Sequence, residues 1–211
     1  MLHRIVLLSF LFSIPFVGVG QIVYQDINKT SVYDFLDEMA NLRLIELNTY
    51  SKPYPRKLIA EKLNEIDRTA LNKRQSKELD FFLKDFNKEL KPDKNFDKRK
   101  DLFYYKDSLF SITVNPILGF EYKTNENGFN WHRWSGGEVF GSVGKHLGFY
   151  VNLRDNAEDT MSQPKNFLNR EPGVIYKGSG DFSDIRGGLI YGRDWGSTGL
   201  IKDNTNWGNH N

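Results

Sequence analysis

At Leu109 the spacing of apolar residues changes from helical to alternate. A helix buries one stripe with a period near 3.6, and a strand buries every second residue. One element cannot satisfy both periods. The chain therefore divides into a helical front half and a stranded back half, an α+β composition of parts.

Three amphipathic helices are expected between residues 31 and 90. Ser31 followed by Asp34 has the form of a capping box, and Val32, Phe35, Leu36, Met39 and Leu42 then fall on one face. Pro55 suits the first turn of a second helix, with Leu58, Ile59, Leu63 and Ile66 as its stripe. Asn72 with Gln75 predicts the cap of a third, carrying Leu79, Phe82, Leu83, Phe86 and Leu90. Short helices with one apolar face need partners, so they are expected to pack on one another, with Lys52-Pro53-Tyr54-Pro55-Arg56 as a turn. A groove for a partner is the functional alternative. Residues 91–108, rich in both charges, read as a solvated linker.

Beyond Leu109, Phe110, Ile112, Val114, Leu118, Phe120 and Tyr122 alternate with small or polar residues. Glu138 to Val143, Leu147 to Arg154 and Ile185 to Gly192 repeat the pattern, which gives about four antiparallel strands. Alternation alone also describes a soluble sandwich with one wet face. A tight turn at Gly144-Lys145-His146, set against longer connections near residues 125–130 and 156–183, favours an outer-membrane β-barrel. About eight strands is the smallest closed single-chain case, so residues 109–211 are expected to be the start of a barrel in an amino-terminal fragment.

The first twenty residues read as a signal peptide. Arg4 precedes an apolar run from Ile5 to Val19, shorter than the ~20 residues of a spanning helix. Gly18 and Gly20 supply the small residues for cleavage before Gln21. Residues 21–90 would then be a periplasmic helical segment. A formal net charge of +2 gives no case for nucleic-acid binding, and the absence of cysteine excludes disulfides and thiolate metal sites.

Catalytic chemistry finds little support in the sequence. His132 and His146 bracket one strand, roughly 30 Å apart at ~3.3 Å per residue, and so share no metal or triad. No Gly-x-Ser-x-Gly frame occurs. Gly178-Ser179-Gly180 is too short for a phosphate loop. Asp93, Asp97 and Asp101 are interleaved with cations and lack the spacing of a calcium loop. No catalytic residue, metal site or cofactor is expected. Phe129, Trp131, Arg133 and Trp134 are candidates either for glycan contact or for an aromatic girdle at a membrane interface. Glu121, Asn152, Arg154 and Arg186 fall on the polar parity and would line a barrel lumen.

Val32-Tyr33-Asp34-Phe35-Leu36 and Lys52-Pro53-Tyr54-Pro55-Arg56, with Asp194-Trp195-Gly196-Ser197-Thr198-Gly199-Leu200-Ile201-Lys202-Asp203 and Trp207-Gly208, resemble segments of the Wzi capsule-assembly family. The resemblance is to its Bacteroidota branch, which includes gliding-motility proteins of the RemB type. It implies a many-stranded outer-membrane barrel with helices at its periplasmic side, outer-membrane lipid as its surroundings, and a non-enzymatic role in attaching or organising capsular polysaccharide. A cell-surface part in gliding motility is the alternative within that resemblance. A soluble periplasmic binding or scaffold protein is the alternative of another class.

Overall fold

A computed structural model describes residues 22–48, 51–90, 101–126, 128–159, 174–178, 180–193 and 195–207. Residues 1–20 and the Gly20–Gln21 junction lie outside these. The fold is α+β: three helices and an open antiparallel sheet of seven strands.

The helices are α1 (Thr30–Asn41), α2 (Arg56–Glu65) and α3 (Lys73–Leu90). Their stripes meet in one core, in which Leu36, Met39, Ile59 and Leu63 are sealed from solvent and Phe35 packs 5.3 Å from Phe82. The predicted cap of α3 is present in both directions. Gln75 N donates to Asn72 Oδ1 and Asn72 N donates to Gln75 Oε1, each at 3.0 Å. The predicted cap of α1 is not. That helix begins at Thr30, one residue before Ser31, because Asp26 turns the chain there by accepting from Asn28 N and Lys29 N. Leu42 falls just past the helix end and is exposed.

The strands are β1 (Ser51–Lys52), β2 (Phe103–Lys106), β3 (Phe110–Asn125), β4 (Gly128–Val143), β5 (Leu147–Glu158), β6 (Val174–Gly178), β7 (Asp181–Arg193), β8 (Gly196–Lys202) and β9 (Asn206–Trp207). The main sheet runs β2-β3-β4-β5-β7-β6, with β8 also on β7, and β1 pairs with β9 separately.

Three expectations change. The charged stretch before Leu109 is not all linker, since Phe103–Lys106 adds an edge strand on β3. Seven strands replace about four, because β2, β6 and β8 are short and carry little alternation. The connection near residues 125–130 is a hairpin, with β4 starting at Gly128 rather than Glu138. Asn125 pairs with Gly128 across it, so the connection is as short as a hairpin allows and loop asymmetry does not hold at that end.

Continuous register through β3, β4, β5 and β7 divides their side chains into two faces. One carries Phe110, Ile112, Val114, Leu118, Phe120, Val139, Val151, Leu153 and Leu189. Five of these stand in solvent, with Leu118 77% exposed and Phe120 67% exposed, while Phe110, Ile112, Val114 and Val139 are half-buried. Leu200 of β8 joins them at 81%. The other face is polar and mostly buried, with Thr113, Glu138, Asn152 and Arg186 inside. The helical half covers that polar face at the Gly144-Lys145-His146 end.

Candidate functional site

The polar face can be read as rungs, the first five with one residue each from β3, β4, β5 and β7 and the last with three. From the Gly144 end they are Ser111–Ser142–Gly148–Ile190, Thr113–Phe140–Tyr150–Gly188, Asn115–Glu138–Asn152–Arg186, Ile117–Gly136–Arg154–Asp184, Gly119–Trp134–Asn156–Phe182, and Glu121–His132–Glu158.

The first four rungs meet the amino-terminal segment and the helices. Ile22 crosses so close to β5 that a Cβ on Gly148 would lie 2.1 Å from the Ile22 carbonyl oxygen, so only glycine fits there. Asp26 accepts from Asn152 Nδ2 and from Arg154 at 3.1 Å. Lys29 pairs with Glu138 at 2.6 Å. Lys88 donates to Asp101 at 3.1 Å, and Asp101 also accepts from Asn115.

Arg56 is the centre of this seam. It is 2% exposed, and its guanidinium lies between the rings of Phe86 on α3 and Phe140 on β4, 4.4 and 4.2 Å from their centroids. Nε donates to Glu89 at 2.6 Å, Nη1 donates to Gln25, and Asp85 is 3.6 Å away. Burial works against the charge, but Asp85 and Glu89 outweigh it and hold the guanidinium above its ordinary value. Lys88 goes the other way. Burial and then Arg56 lower it, with Asp85 and Asp101 only partly offsetting them. The seam thus joins helices to sheet through ion pairs with aromatic walls, costly to leave half made.

Deeper along the face, Tyr150 donates to Asp203 at 2.9 Å, and Arg186 reaches both Asp184 and Asp203. Asn152, Arg154 and Arg186 do occupy the polar parity, as expected. They are not open to a lumen, because Asp26, Asp184 and Asp203 already engage them. Glu121, on the last rung, is exposed and pairs with Lys123 at 3.2 Å.

The four aromatic-cluster residues separate. Phe129, Trp131 and Arg133 share the apolar face, while Trp134 points to the polar one, since adjacent strand residues alternate. Phe129 stacks on Tyr122 at 5.6 Å, and Arg133 lies 6.0 Å from the Trp131 ring. Beside them a cavity of about 650 Å³ opens among Leu118, Phe120, Arg133, Asp155, Lys177 and Asp181. Lys177 and Asp155 pair across it at 2.5 Å.

Catalytic groupings are sparse. His132 Nε2 lies 3.0 Å from Asn156 Oδ1 and 3.9 Å from Glu158, with no nucleophile placed beside it in these contacts. Among the described residues no set of three His, Asp or Glu side chains could hold a metal ion. Sequence reasoning missed Asp26, Arg56, Tyr150 and Asp203. Arg56 gave one signal, a cation at the first turn of an apolar-faced helix; Asp26 gave none. Neither a family model, nor a curated protein, nor a solved structure matches this chain.

Proposed function

We propose that the chain builds part of the wall of an outer-membrane β-barrel, with the helical half seated on its inner face at the periplasmic end, and that it helps attach or organise surface polysaccharide without catalysing a reaction. One observation carries the membrane reading: the sheet exposes Leu118, Phe120, Leu153, Leu189 and Leu200 on one face, with Arg133, Asp155 and Asp181 toward one end of it, and buries Glu138, Asn152 and Arg186 on the other. A face of that size is unstable in water and ordinary in lipid. On β3 the apolar row from Phe110 to Tyr122 spans ~40 Å of strand. At the ~40° tilt of barrel strands it covers ~30 Å, close to the thickness of a hydrocarbon core. Tyr122 and Phe129 close the row with stacked rings, as an interfacial girdle would.

The sheet edges at β2, β6 and β8 have no strand partner among the described residues, so closure requires further strands or copies. The role in polysaccharide handling rests on the resemblance to the Wzi capsule-assembly family. Fractionated cells provide the test. Recovery with outer membranes and heat-dependent gel mobility are expected; recovery in the soluble periplasm would overturn the barrel. A deletion strain is expected to shed surface polysaccharide and glide normally. Loss of gliding with polysaccharide intact would instead select the motility role.

A further inference from the structure

We infer that the polar face of the sheet, beyond its helical cover, carries a subsite for an uncharged pyranose unit, with the Trp134 indole as its stacking platform. This rests on the surface-polysaccharide reading above and gives that reading a place on the molecule. Trp134 faces Gly119 across the β3–β4 pair, and a Cβ on Gly119 would lie 2.0 Å from Cε2 and Cζ2 of the indole. The bare glycine lets the ring lie over the backbone of β3. His132 supports it at 4.8 Å, tilted 40°, and Phe182 stacks on His132 at 6.1 Å. A broad ring held against a sheet offers its other side to the C–H face of a sugar.

Groups that bind hydroxyls surround that platform. Asn156 shares the rung, with its Oδ1 3.0 Å from His132 Nε2 and its Nδ2 donating to the Arg154 carbonyl at 3.2 Å, so it fixes the imidazole beside the platform, and Glu158 supplies an acceptor on the next rung. On the previous rung, Arg154 Nε is buried with no acceptor among the described residues. Charge selects the sugar. The Arg154 guanidinium is already paired with Asp26, and Arg133, the cation nearest in sequence, points to the opposite face. Among the described residues the guanidinium nearest this rung is already paired, so Glu158 would repel an anionic sugar, whereas hydroxyls can both donate and accept here.

The test uses the purified chain in detergent, titrated with polysaccharide stripped from the source cells and split by anion exchange into neutral and acidic fractions. Calorimetry and tryptophan fluorescence read the binding. The neutral fraction is expected to bind. Trp134→Ala should weaken it at least tenfold and Trp134→Phe severalfold, while Trp131→Ala and Arg133→Ala change it less than twofold. Asn156→Ala guards against misfolding of the tryptophan variants and should also weaken binding severalfold. Preference for the acidic fraction, binding of neither fraction, or wild-type affinity in both Trp134→Phe and Asn156→Ala would overturn the subsite. In cells the two levels separate. If deletion strips the surface and Trp134→Phe restores it fully, the subsite alone fails; if deletion leaves the polysaccharide in place, the broader reading fails.

Discussion

In the helical half, Leu36, Met39 and Ile59 are sealed from solvent, and charges away from the sheet, such as Arg74 and Glu78, stand outside. In the sheet, Leu118, Phe120 and Leu200 stand outside, while Glu138, Asn152 and Arg186 are sealed. Both halves alternate apolar and polar residues regularly, so the rule of construction is shared. What is inverted is the medium each apolar face meets: other helices in one case, hydrocarbon in the reading proposed above. Arg56 stands where the two orders meet. It is a buried charge of the helical half against a buried ring of the sheet.

The comparison can be broken first at that meeting point. Arg56→Ala leaves Glu89 and Asp85 facing an emptied seat between two rings, and should cost about 3–5 kcal/mol. Denaturant unfolding with proteolysis of the helical half measures it, and a loss below ~1 kcal/mol would mean that the halves are not held through this residue. Next comes one leucine from each half. Leu36→Ala should cost about 2–5 kcal/mol by opening a cavity. Leu118→Ala, at a position 77% exposed, should stay within ~0.5 kcal/mol in detergent. Equal costs would erase the inversion.

A charge on the apolar face sharpens the contrast. Val151→Arg should weaken insertion into bilayers by about 2–4 kcal/mol, measured by unfolding from vesicles. A soluble sheet would tolerate it within ~0.5 kcal/mol. A smaller effect than that of Arg56 belongs to the amino-terminal end of α3, away from its seam residues Asp85, Phe86 and Glu89. Asn72→Ala removes one half of the α3 cap and should cost about 1 kcal/mol, read from helix content on heating.

The sequence made the period change legible, and with it the helices, the long strands and the polar parity of Asn152, Arg154 and Arg186. Those features repeat along the chain, so local spacing reveals them. It did not reveal β2 or β6, which are too short for alternation to show, nor the split of Trp134 from Trp131, which depends on where β4 begins. Asp26 was out of reach for another reason. Its partners Asn152 and Arg154 lie far along the chain, and only the folded register brings them to it.

The small pairing of Ser51–Lys52 with Asn206–Trp207 bears on the order of assembly. It joins the first and the last strand of the described residues, so its formation closes a loop that contains every other strand. Closing so long a loop adds only slowly to the entropic cost, but it makes this contact among the latest available. The helices, whose contacts are local, can be complete well before. The clasp is therefore a marker of completed folding: a labelled pair at Lys52 and Asn206 should come together last, after the helical signal has reached its plateau.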